Sequence, residues 1–170
     1  MNASRRRVMP LVAGMLGALG VAVAGAQAPA TRTPPRAATA PATPAADPAA
    51  LKAAIDKLGK LDYKTRVEAS AAIRRAPSAV IVPMLVEAAR RHEDGYVRFR
   101  ALVLLSGFNE PGSAPVFIDA LTDENDRLRE VAYAWVEDHP QPSLVPRLLD
   151  ALEREQAEFV RPALVRALAA

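Results

Sequence analysis

Three acidic residues, Glu87, Asp119 and Asp150, recur at steps of 32 and 31 residues. Paired carboxylates can relay a proton or hold a cation. On successive stacked helices, however, the three would stand roughly 10 Å apart, too far to share a proton or one small ion. A solvated helix face is the simpler reading. The two histidines, His92 and His139, lie beside Glu93-Asp94 and between Asp138 and Pro140. Neither has a second His at i+3 or i+4, so the spacing of a metal site is missing. Ser, His and Asp are too sparse for a nucleophilic triad, and Gly95, Gly107 and Gly112 fall in separate turns rather than in one phosphate-binding loop. With no Cys, disulfides, thiolate catalysis, Cys-based zinc sites and an N-terminal lipidated Cys are excluded. The expectation is a protein with no catalytic residue, no metal and no cofactor.

The elements that would position these charges begin after an unusual N-terminus. Arg5, Arg6 and Arg7 precede an apolar stretch from Val8 to about Ala24, and Ala24-Gly25-Ala26 has the small-x-small form of a cleavage site. Residues 1–26 therefore read as a signal peptide, with Gln27 the first mature residue. Ser4-Arg5-Arg6-Arg7-Val8-Met9 resembles a twin-arginine export signal, but Val8-Met9 stands where that family prefers Phe-Leu, and Pro10 where Lys is common. Both that route and the ordinary secretory one stay open. An uncleaved membrane anchor is the alternative, against which stand a short apolar run, three Gly and a Pro. Residues 27–47 alternate Pro with Ala and Thr, cannot bury a core, and read as a disordered linker. The expected location is periplasmic or secreted.

The basic pI of about 9.6 misleads. Of 22 Lys and Arg, three lie at Arg5–Arg7 and two at Arg32 and Arg36, leaving 17 against 18 acidic groups from residue 48 onward. A nucleic-acid binder needs a basic stripe on its folded part, and none is expected here.

The folded part is periodic. Arg66, Arg98, Arg129 and Arg161 are spaced 32, 31 and 32 residues apart, and Pro83, Pro115 and Pro146 are spaced 32 and 31. Two independent markers share one missing residue. In the first helix of each unit, Ala69, Ala101, Ala132 and Leu164 align, as do Thr65, Val97, Leu128 and Val160. So do Ala72, Leu104, Trp135 and Ala167, and Ile73, Leu105, Val136 and Leu168. Within a unit these fall at i, i+4, i+7 and i+8, one face of an α-helix. Second helices align Leu85, Phe117 and Leu148; Val86, Ile118 and Leu149; Ala88, Ala120 and Ala151; and Ala89, Leu121 and Leu152. Asp62, Asp94 and Asn125 are the expected N-caps, and the recurring Pro is expected in the first turn of each second helix. An extra helix opens at Asp47-Pro48, turns Leu51, Ala54, Ile55 and Leu58 inward, and ends at Gly59. Trp135, in a column with Leu104 and Ala72, is expected in the core.

Asp94-Gly95-Tyr96-Val97-Arg98-Phe99-Arg100-Ala101 resembles the first-helix signature of HEAT repeats, an acid, then Val-Arg, then Ala. Pro83–Ala88 and Pro146–Ala151 resemble that family's second helix. The resemblance spans about residues 50–170. It implies an all-α fold, an α-α superhelix of three to four helix–turn–helix repeats at about 62–91, 94–122, 125–155 and a partial 157–170. It also implies a ladder between units, with Arg66, Arg98, Arg129 and Arg161 at the Arg position and Asp62, Asp94 and Asp126 as partners. The last unit departs from the pattern, with Ala157 at the cap, Pro162 expected about one turn inside the helix, and Leu164 and Leu168 left uncovered. A fragment of a longer array is one reading of that departure.

Stacked repeats present an extended surface lined by second helices. The expected function is a cell-envelope scaffold holding a protein or peptide partner through Glu87, Arg90, Asp119, Arg147, Asp150 and Arg154, whose mixed signs suit a protein better than a polyanion. Two alternatives are a lyase-type enzyme, since some HEAT-like proteins resemble lyases that attach bilins, and a purely structural piece of a larger envelope array.

Overall fold

Asp47 accepts the Ala49 N–H at 3.0 Å and Pro48 sits in the first turn, so α1 (Pro48–Lys57) starts where its first orphan donor is satisfied. A computed structural model describes residues 47–170; the segment expected as a signal peptide (1–26) and, apart from Asp47, the segment expected as a linker (27–47) lie outside them. Seven more helices follow: α2 (Tyr63–Arg75), α3 (Ser78–Arg91), α4 (Gly95–Ser106), α5 (Ala114–Ala120), α6 (Asp126–Asp138), α7 (Val145–Arg154) and α8 (Arg161–Ala169). The described residues contain no strand. Asp62, Asp94 and Asn125 cap α2, α4 and α6 by accepting the N–H of Thr65, Tyr96 and Arg127.

Helices pair across the two layers, α1 on α2, α3 on α4, α5 on α6 and α7 on α8, and α6 also packs extensively on α8. Neighbouring hairpins meet through α4 on α6 on α8 in one layer and α1 on α3 on α5 in the other. In this register the extra first helix and the partial last unit each find a partner. The result is an α-α solenoid, as the periodic columns require.

The core lies between the layers. Ala69, Ala101, Ala132 and Leu164 are all buried, and the small side chains of the first three let helix backbones approach closely. Leu85, Phe117 and Leu148 are buried opposite them. Gly59 permits a similar approach, since a Cβ there would lie 2.5 Å from Asp94 Oδ2 and 2.8 Å from Val97 Cγ2. Trp135 is 8% exposed, in the core as expected. Its ring stacks on Phe117 at 4.8 Å and on His139 at 4.5 Å. His139 Nδ1 donates to the Trp135 carbonyl at 2.9 Å, and its Nε2 faces the Asn109 side-chain amide at 2.9 Å. Asn109 has φ of 49°, a left-handed backbone that Asn tolerates better than most residues.

Four expectations are corrected. Pro83 is not in a first turn: α3 starts five residues earlier, after Pro77, so Pro83 lies inside the helix and the Ala79 carbonyl loses its donor. In the other two units the preceding turn tightens to 3-10 geometry (Pro111–Ser113 and Pro142–Leu144), and Pro115 and Pro146 do sit at the second helical position. Pro162 likewise lies at the start of α8, because without a capping side chain at Ala157 the helix begins only at Arg161. Leu164 is fully buried and Leu168 packs on the core, because α8 lies against both α6 and α7. Leu149, aligned with half-buried Val86 and Ile118, is 51% exposed.

Replacing Trp135 by Arg should abolish cooperative unfolding, since truncating such a ring alone removes about 3–5 kcal/mol and a guanidinium would add unpaired charge. A thermal melt followed by far-UV circular dichroism checks this; a cooperative Trp135→Arg melt would contradict the stacked placement.

Candidate interaction surface

The arginine column ties unit to unit. Arg129 donates through Nη1 to the carbonyls of Asp123 (2.8 Å) and Glu124 (3.1 Å), at the mouth of its own helix. Its Nε and Nη2 donate to the two oxygens of Glu155 at 2.8 Å each, a bidentate pair to the next interhelix turn. Arg98 repeats the link one unit earlier, pairing with Asp123 through Nη2 and donating to the Ala89 carbonyl at 3.3 Å through Nε. The expected acids are therefore corrected. Asp62 and Asp94 are spent as N-caps, Asp126 occupies the first turn of α6, and the partners are Asp123 and Glu155.

These acids occupy a column six residues before each ladder arginine: Lys60, His92, Asp123 and Glu155. Their side chains also brace their own turns. Asp123 accepts the Asn125 N–H at 2.8 Å, Glu155 the Ala157 N–H at 3.0 Å, and His92 Nδ1 the Asp94 N–H at 3.0 Å. That bond leaves the His92 proton on Nε2, facing Asp56 Oδ1 at 3.4 Å. At the ends the rungs are incomplete. Arg66 donates to the Lys60 and Leu61 carbonyls at 2.8 and 2.6 Å, and Arg161 to the Glu155 carbonyl at 3.1 Å; neither meets a carboxylate among the described residues.

Glu155 is the most buried acid of the structure, 6% exposed. The Arg129 hydrogen bonds hold its carboxyl below the usual range, outweighing burial, with help from the Ala157 amide. The same pair raises Arg129. Tyr133, behind them, is pushed up by burial, and its hydroxyl donates to the Leu121 carbonyl at 3.2 Å.

The six residues expected to meet a partner all lie along the layer of α3, α5 and α7, but not at one place. Three clefts lie along the layer of α1, α3, α5 and α7, the third between the turn that ends α5 and α7 itself. Glu87 lines the first, about 420 Å³, between α1 and α3, and pairs with Arg91 at 3.2 Å. Arg90 and Asp119 line the second, only about 110 Å³, and close it with a 2.8 Å ion pair from α3 to α5. Arg147, Asp150 and Arg154 line the third, about 450 Å³, beside α7. Asp150 pairs with Arg154 at 3.2 Å within α7. Arg147 has no ion-pair partner among the described residues. Each of the three acids thus lines a different cleft. What the residue columns did not reveal was the row of clefts itself and the buried Arg129–Glu155 pair behind the third; the mixed column six residues before each arginine was the available signal.

A two-layer helical solenoid with an interunit arginine ladder defines a class of helical repeat protein. Residues 39–135 and 82–169 each match the family model of HEAT repeats, and the chain belongs to that family. No curated protein and no solved structure matches it.

Glu155→Ala should destabilise the protein by about 3 kcal/mol, because it strands the partly buried Arg129 guanidinium. Since folding depresses the Glu155 pKa, its contribution is complete above the ordinary value of 4.5 and fades as pH falls through the lower, folded value. Chemical denaturation of wild type and Glu155→Gln between pH 7 and pH 3 tests this: the gap between them should shrink toward acid. A constant gap would show that the carboxylate charge does not contribute.

Proposed function

We propose that this protein is a non-catalytic interaction scaffold of the cell envelope, holding a protein or peptide partner along the layer of α3, α5 and α7. HEAT repeats commonly mediate protein–protein interaction, and the fold here is theirs. The observation that carries the reading is the row of clefts along one layer, rimmed by exposed charges of both signs from Glu87 to Arg154. Mixed charge of this kind gives specificity toward another protein surface.

The absence of catalysis is part of the proposal. Its support is that the groups most able to do chemistry are already occupied structurally. Both ring nitrogens of His92 and of His139 are engaged, Asp62 and Asp94 cap helices, and Asp123 and Glu155 hold ladder arginines.

Envelope placement rests on the basic, apolar and small-residue segments of residues 1–26. Mass spectrometry of the protein from an envelope fraction should find Gln27 as the mature N-terminus. An intact Met1 in a soluble cytoplasmic fraction would reject export.

Reversing Glu87, Asp119 and Asp150 together to Lys should weaken partner binding at least tenfold, as like charges come to face across the interface. The ion pairs lost are exposed, so the cost in stability should be only about 1–2 kcal/mol. Capture from the envelope fraction, followed by titration of the purified partner, measures the first, and a thermal melt the second. Unchanged affinity in a folded triple variant would reject this face.

A further inference from the structure

The three clefts are built from the same repeat positions, yet one is open where its neighbour is closed, and two residue changes account for the difference. The position after the recurring Pro is Met84 in α3, Val116 in α5 and Arg147 in α7. Val116 is 3% exposed and fills the α3/α5 cleft. Arg147 is exposed and leaves its own cleft unfilled. The second change removes a strap. Arg90 crosses the α3/α5 cleft to Asp119 at 2.8 Å. One repeat on, the equivalent positions are Thr122 and Asp150. Thr122 is too short to cross, and Asp150 turns to Arg154 in its own helix. With filler and strap both gone, the space grows from about 110 to about 450 Å³.

We propose that this α5/α7 cleft is the anchor point of the scaffold, taking a single carboxylate side chain of an extended peptide segment of the partner onto Arg147. This rests on the scaffold reading and adds the site and the chemistry of its ligand. The cleft has an apolar floor in Leu121, Ala151 and the ring of Tyr133, which suits small apolar residues flanking the acid. Its electrostatics favour one negative charge. Arg129 is committed to Glu155 and Arg154 to Asp150, and Asp123 to Arg98, so Arg147 is the cation left over. A carboxylate matches its planar fork. A phosphate dianion would meet Asp150 with only one cation to offset it.

The test uses the full chain and a pool of end-blocked pentapeptides with Glu at the centre and varied apolar neighbours, against the same pool with Gln. Retention of each pool on the immobilised protein is measured by mass spectrometry, and the Arg147 Nε–H resonance is followed by NMR. The Glu pool should be retained about fivefold more strongly and should shift that resonance. Two variants remove the site in different ways. Arg147→Val supplies the filler that α5 has, and Thr122→Arg supplies the strap to Asp150. Both should melt no lower than wild type and lose the Glu preference, whereas Arg147→Lys should keep part of it. Equal retention of Glu and Gln pools, a Glu preference that survives Arg147→Val, or stronger retention of a phosphoserine pool would each overturn the proposal. A partner whose binding falls in the Glu87, Asp119 and Asp150 triple reversal but not in Arg147→Val or Thr122→Arg would leave the scaffold reading standing and remove this anchor.

Discussion

The guanidinium of Arg129 joins two chain segments, the turn that opens its own helix and the turn that leads into α8. A helix hairpin of this size cannot bury its apolar stripe alone, so every unit depends on the next for its core. Hydrophobic contact sets how closely neighbours approach but not their register, because it is non-directional. The planar fork on Glu155, and its counterpart between Arg98 and Asp123, supplies the missing direction. One side chain thus ties the turn before its own helix to the next interhelix turn and sets the step from one hairpin to the next.

That link is made on the turns, which leaves the faces of α3, α5 and α7 free to vary. Changes there alter the spacing of one layer without disturbing the arginine rungs behind it. The contrast between the closed α3/α5 cleft and the open α5/α7 cleft shows that this layer can change shape from unit to unit while the arginine column behind it is kept.

Most of the architecture was legible in the residue columns, because a 3.6-residue period repeated four times overdetermines helix faces and caps. Asp62, Asp94 and Asn125 cap as their types predict, and Trp135 lies in the core. The ladder acids were not legible, for a specific reason. An Asp at a helix start suits both a cap and an ion-pair partner, and sequence spacing does not say which bond its oxygens make. The true partners share a column with Lys60 and His92, so no common residue type marked it. The start of α8 was missed because helix onset at an uncapped position is decided by tertiary contact, here with α6 and α7. The six surface residues do lie along α3, α5 and α7. Their division among three clefts depends on distances between helices, which no column of letters contains.

The stack of Phe117, Trp135 and His139 has an optical consequence. The chain holds a single indole, and it sits deep in the middle of the array with aromatic neighbours on both faces. Its emission therefore reports the integrity of the central hairpins and little else. In a quasi-one-dimensional protein the terminal hairpins can fray while the centre stays packed. Tryptophan fluorescence and far-UV circular dichroism would then trace different transitions, and their separation would measure how far cooperativity extends along the ladder.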